Sequence, residues 1–150
     1  MIRRKPQAIV FDLDGTLCDC EYRVHFMRER PKRREEFHSA CVFDKVVPAC
    51  KALIDMAEEK GIKVILLSAR PARFKPQTEE WLTKNNIHYD QLILSHYPEL
   101  SDPDYKLKMY RELIEPFADV LFAVDDRDIV VQMWRDNAIT CLDIAGNHFS

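Results

Sequence analysis

The stretch "IVFDLDGTL" at residues 9–17 decides the reading of this chain. Ile9, Val10 and Phe11 run straight into two aspartates, Asp12 and Asp14, one residue apart, followed by Gly15 and Thr16. Continuous rather than alternating apolarity marks a strand covered on both faces. Two like charges at its end destabilise one another unless a cation, a proton or a basic side chain compensates.

Further apolar runs follow at 62–67 ("IKVILL"), 91–95 ("QLILS") and 120–124 ("VLFAV"), with a weaker one at 139–144 ("ITCLDI"). Helical patterns lie between them. The segment 48–61 starts on Pro48, ends on Gly61 and carries Ala52, Leu53, Met56 and Ala57 on one stripe. Segments 76–86, 104–117 and 128–137 read likewise, the second with Leu107, Tyr110, Leu113, Ile114 and Phe117 on one face. Trp81, Trp134, Tyr110 and Phe117 are therefore expected in the core. Strands alternating with helices predict an α/β fold, a Rossmann-like open parallel sheet with helices on both faces and right-handed crossovers. Residues 18–47 break the rhythm: they are polar, mixed in charge and hold Pro31. They read as a small helical cap insertion after the first strand, within one domain spanning 1–150.

The length supports one core, and 47% apolar with 31% charged residues is ordinary for a globular protein. A net charge of −3 neither requires nor excludes a nucleic-acid partner, because a local basic groove can sit on a mildly acidic protein. The five cysteines are odd in number and lack Cys-x-x-Cys spacing, so they read as reduced thiols in a cytoplasmic setting. The basic start breaks at Asp12, unlike a signal peptide, and no run approaches the ~20 apolar residues a membrane span needs. The histidines show no metal-ligand spacing.

In an open α/β sheet, ligands bind beyond the carboxyl ends of the strands. Asp12 and Asp14 end the first strand, Ser68 and Arg70 the second, Asp125 and Asp126 the fourth. Carboxylates so clustered suit a hard cation such as Mg²⁺, and a hydroxyl, a guanidinium and a lysine from "DPDYKLK" suit a phosphate. One carboxylate could attack phosphorus, the other could move the proton, and Thr16 could position one of them. Asp125-Asp126 also fits a helix N-terminal acidic pair, with Arg127 as its structural partner.

Asp12-Leu-Asp14-Gly-Thr16, Ser68, a lysine at 106 or 108 and Asp125-Asp126 together resemble the four motifs of the haloacid dehalogenase superfamily of phosphohydrolases. Within it, "VLFAVDDRDIVVQMWRDNAITCLDIAGNHF" (120–149) is similar to the end of the 3′-phosphatase domain of phage-type polynucleotide kinase, including a Gly-x-Phe-like tail. The resemblance implies Asp12 as nucleophile and Asp14 as general acid/base, its carboxyl left free to carry a proton. It implies Mg²⁺ held by Asp12, the backbone carbonyl of Asp14 and Asp125 or Asp126. Thr16, Arg23, Ser68, Arg70, Asp102 and Lys106 would bind substrate and phosphate. Asp104 and Lys108 repeat the spacing of Asp102 and Lys106, leaving an alternative open. Ala69 stands where that family commonly has glycine.

The expected activity is a Mg²⁺-dependent phosphomonoesterase acting on the 3′-phosphate of nucleic-acid ends through an aspartyl-phosphate. The alternatives are a 5′(3′)-nucleotidase or small-metabolite phosphatase, and a non-catalytic module that binds nucleic-acid ends. No G-x-x-x-x-G-K-[ST] occurs in these residues, so 5′-kinase activity is not expected from them, and a separate kinase or ligase is a candidate partner. The run "RERPKRR" (28–34) reads either as a basic patch for a phosphodiester backbone or as a solvated mixed-charge helix end.

Overall fold

The computed structural model describes residues 4–145; the Gly146–Phe149 tail and His148 lie outside the described residues. Five parallel strands form the sheet: β1 (Gln7–Phe11), β4 (Lys63–Pro71), β5 (Gln91–Ser95), β6 (Asp119–Asp125) and β7 (Cys141–Asp143). Their order is β5-β4-β1-β6-β7, which puts β1 at the centre. Gln7 lies opposite Asp119 and Phe11 opposite both Val124 and Leu66.

Helices cover both faces. Along β1, Ala8 and Val10 face one apolar layer while Ile9 and Phe11 face the other, as the two-residue strand period requires. The first layer is filled from α5 (Asp102–Met109), the π-turn that continues it (Tyr110–Ile114) and α6 (Asp128–Asp136), with Tyr105, Met109, Val130 and Trp134. The second is filled from α3 (Pro48–Glu59) and α4 (Lys75–Lys84), with Cys50, Ile54, Trp81 and Leu82. Among the described residues, no helix is long and apolar enough to cross a membrane. All five cysteines are free thiols.

Three packing expectations are corrected. In α3 the buried stripe is Cys50, Ile54 and Ala57, while Met56 is 57% exposed. The helix starts at Pro48 and its phase turns Cys50, not Ala52, toward the sheet. Phe117 is 67% exposed, because the π-turn and the turn after it rotate the chain so that Ile114 and Ala118 point inward. The insertion contains more than helix. It holds two short helices, α1 (His25–Arg28) and α2 (Arg34–Ser39), and a two-residue antiparallel ribbon of β2 (Cys18–Asp19) and β3 (Lys45–Val46).

Candidate functional site

The loop after β1 is tightly closed. Thr16 and Cys18 donate their backbone N–H groups to the Leu13 carbonyl at 3.0 and 2.9 Å, and Gly15 donates to the Cys18 carbonyl at 2.9 Å. Leu13 and Leu17 bury into the core, so Asp12 and Asp14 emerge on the opposite side. Gly15 has φ +84°, and a Cβ there would stand 2.2 Å from Asp126 Oδ2. Gly15→Ala is therefore expected to lower stability by about 1–3 kcal/mol, the cost of a strained left-handed residue, and to push Asp126 off its place. A denaturant midpoint unchanged from wild type would contradict this.

Asp12, Asp125 and Asp126 each offer an oxygen within 4.8 Å of the others. Lys106, 3% exposed, lies against this group and donates to Asp12 Oδ1 at 2.9 Å and Asp125 Oδ2 at 2.7 Å. The other oxygen of Asp125 accepts the backbone N–H groups of Asp126 and Arg127. Thr16 Oγ1 stands 3.3 Å from Asp12 Oδ2 and 3.2 Å from Asp126 Oδ1, so it donates to one carboxylate at a time. Among the described residues, three carboxylates share one lysine, so with all three ionised two negative charges would lack a counterpart. Burial first, then the charge of Asp125, pushes the Asp12 carboxyl well above the usual range. An all-oxygen donor set with this excess charge fits a divalent hard cation. Burial draws Lys106 down, but Asp12 and Asp125 outweigh it and hold the ammonium more firmly than usual. Of the two candidate lysines, Lys106 reaches the carboxylates, while Lys108 pairs with Glu112 at 2.5 Å.

Asp14 stands apart from that cluster and differs from expectation. Its carboxyl is not left free: Oδ1 accepts from Arg23 and Arg70, each at 2.5 Å. Burial would raise its pKa, but the two guanidiniums outweigh burial and hold it ionised below the usual carboxylate range. Arg23 is fully buried and comes from the insertion. Arg70 donates to Thr78 Oγ1 at 2.9 Å as well, and among the described residues its Nε has no hydrogen-bond partner. Ser68 accepts the Arg70 backbone N–H at 3.0 Å, leaving its own hydroxyl proton to donate. Asp102, at the start of α5, pairs with Arg127. Arg127, expected as a structural partner of Asp125 and Asp126, reaches Asp125 through its backbone N–H, while its side chain goes to Asp102.

Two residues of the site escape a sequence reading. Asp44 is 6% exposed and forms a bidentate pair with Arg23, Nε to Oδ1 at 2.9 Å and Nη2 to Oδ2 at 2.6 Å. Its backbone carbonyl accepts the Trp81 indole N–H at 2.8 Å, which ties the insertion to α4. Thr78 relays Arg70 to the Phe74 carbonyl at 2.8 Å. Neither "VFDKVV" nor "PQTEE" marks them, since each acts only through a partner that folding brings near.

Asp12, Asp14, Ser68, Arg70, Asp102 and Lys106 all line one cavity of about 650 Å³, within the ~300–1,000 Å³ usual for small-molecule sites. Its far end is walled by the insertion.

Residues 6–149 match the family described as polynucleotide kinase PNKP phosphatase domain. A chain in the structure of the Pnkp1/Rnl/Hen1 complex is similar at 32% identity and a TM-score of 0.82; the match covers 93% of this chain and 46% of that one. This chain thus spans less than half of that relative. A class C acid phosphatase from Bacillus anthracis with tungstate bound shares the fold at 18% identity and a TM-score of 0.66, with 91% of this chain and 63% of that one covered. A putative phosphatase from Clostridium difficile does so at 14% identity and 0.69, with 99% and 89% covered.

Proposed function

Because the chain belongs to the polynucleotide kinase PNKP phosphatase-domain family, we propose that it removes the 3′-phosphate from nucleic-acid ends, with Mg²⁺ and through an aspartyl-phosphate. The observation that carries this is the division of the two aspartates: Asp12 with Lys106 and the acidic cluster, Asp14 with Arg23 and Arg70.

Asp12, oriented by Lys106 and Thr16, attacks phosphorus and forms the P–O bond as the bond to the 3′-oxygen breaks. Lys106 and the Ser68 hydroxyl face the transferring group and stabilise its charge, where most of the catalysis of phosphoryl transfer lies. Asp12, Asp125 and Asp126, with the Asp14 carbonyl, would hold Mg²⁺, and the ion would supply positive charge against the nucleophile and the phosphoryl oxygens. As phosphate binds, Arg23 and Arg70 turn from Asp14 to substrate oxygens, Asp14 takes up a proton from solvent, and it then gives that proton to the leaving 3′-oxygen. In the second half-reaction Asp14, ionised as it stands here, takes a proton from the water that attacks the acyl-phosphate. Asp102 and Arg127 border the substrate side of Lys106.

The reading assigns residues 1–150 to one domain. Five free thiols suit a reducing, cytoplasmic compartment. The Pnkp1/Rnl/Hen1 RNA repair complex, which holds the 32% identical relative, supports a place in end repair with kinase or ligase activity supplied elsewhere.

A panel tests it: 3′-phosphorylated DNA and RNA oligonucleotides, 5′-nucleotides and a chromogenic phosphate ester, with Mg²⁺ and with EDTA. Release from the 3′-phosphates that EDTA stops is the expected result. Brisk turnover of 5′-nucleotides with none from oligonucleotides would overturn the substrate and favour a nucleotidase. No turnover of any ester would leave a binding module.

A further inference from the structure

The cavity continues past the phosphate-handling groups to the insertion, where Met27, Lys32, Arg34, Phe37 and His38 line it, with Arg73 after β4 on the facing wall. The basic run 28–34 is not uniform there. Arg33 is spent on the insertion itself: its Nε lies 3.4 Å from both Glu29 and Glu36, and its guanidinium sits over the Phe26 ring at 4.9 Å. Arg30 donates to the Met27 and Glu29 carbonyls. Arg73, on the facing wall, is paired with Glu35 at 2.7 Å. Lys32 and Arg34 differ from all of these: they are exposed, they border the cavity, and among the described residues neither has a hydrogen bond, ion pair or ring contact. Beside them the cavity wall is aromatic. His38 packs between Phe37 at 5.1 Å and Phe74 at 5.2 Å, and burial lowers its pKa to about 4, so its ring is neutral at pH 7.

The cavity edge thus sets Lys32 and Arg34 beside Phe37 and His38, with Arg23 over the Phe37 ring at 4.4 Å. Cations for phosphodiesters beside neutral rings for bases suit a single nucleic-acid strand. Resting on the function proposed above, we infer that this end of the cavity is an exit track for the strand upstream of the terminal phosphate, with Lys32 and Arg34 on its next phosphodiesters. The track makes the enzyme prefer a polymer end to a mononucleotide. The two readings of run 28–34 then both hold, for different residues: Arg33 is the solvated helix end, and Lys32 and Arg34 are the basic patch.

The test compares wild type with the Lys32→Ala/Arg34→Ala double variant on a nucleoside 3′-phosphate and on 3′-phosphorylated single strands of increasing length. In wild type, kcat/KM rises from the mononucleotide to the longer strands and falls with salt. In the variant the ratio of oligonucleotide to mononucleotide kcat/KM drops about 10-fold. The slope of log(kcat/KM) for the oligonucleotide against log[salt] shallows by about 1.4, as the loss of two single-strand phosphate contacts requires. A general loss of folding lowers both substrates and leaves the ratio alone. A flat length series in wild type, or an unchanged ratio in the variant, overturns the track. Arg33→Ala dropping the ratio as far as the double variant would also overturn it, since net charge rather than placement would then be responsible. If no 3′-phosphate is hydrolysed at all, the proposed function fails, and the track is decided by anisotropy of a fluorescent 3′-hydroxyl hexanucleotide. Weaker binding by the double variant supports the track and equal binding overturns it.

Discussion

Asp12→Asn is expected to lower turnover of any phosphate ester at least about 10⁴-fold, the scale of losing a covalent nucleophile, while the protein stays folded. The amide keeps the carboxylate's shape and still accepts from Lys106, but it cannot form the acyl-phosphate. Stability should move the other way. Burial and Asp125 raise the pKa of Asp12, so the folded protein binds this proton more tightly than the unfolded chain does. Asp12 therefore contributes stability below its unfolded pKa and loses it as pH rises through the higher folded value. Without added cation, the variant should melt no lower than wild type at neutral pH, and its advantage should shrink toward acid. Activity assays and thermal melts along a pH series check both halves. Full activity in the variant would sink the mechanism; a variant that melts much lower would sink the charge argument.

Lys106→Met should cost more stability than any other single substitution in the site, about 3–5 kcal/mol, the usual penalty for leaving a buried charge unpaired. Methionine fills the same volume, so packing is kept. What is lost is the ammonium between Asp12 and Asp125. Turnover should fall about 10²–10³-fold, the scale of removing one electrostatic donor to the transition state. Added Mg²⁺ should restore part of the stability, because a dication can occupy the same negative field, without restoring turnover. Chemical denaturation with and without Mg²⁺ measures this. Lys108→Met is the matched control: its partner, Glu112, is on the surface, so activity should not change. If the two variants were interchangeable, the assignment of Lys106 would be wrong.

The residues legible in the sequence are those whose position follows from where an apolar run stops. Asp12, Ser68, Arg70 and Asp125 stand at strand ends, and a parallel sheet brings strand ends together. Lys106 needed a helix phase as well, and the same reasoning failed where phase was misjudged, at Met56 and Phe117. The insertion was legible only as an interruption of the pattern. Its ribbon is two residues per strand, too short to show a period. Asp44 and Thr78 were out of reach for a different reason: an acidic residue after "CVF" and a threonine in a helix are commonplace, and what distinguishes them is an arginine contributed by another element. The free carboxyl expected of Asp14 failed likewise, since two guanidiniums from positions 23 and 70 converge on it only in the folded chain.

The strand order has a consequence for how this protein is made. β1 is synthesised before both of its neighbours, and it lacks β6 until Asp119–Asp125 has left the ribosome. At the usual pace of roughly 5–20 residues per second, that edge stays open for roughly 5–20 s after Phe11 is made. An open edge of "AIVF" is a template for the wrong strand. The strand that carries Asp12 is thus open to misassociation until β6 arrives, and recovery of activity on refolding will report the closing of β1 against β6.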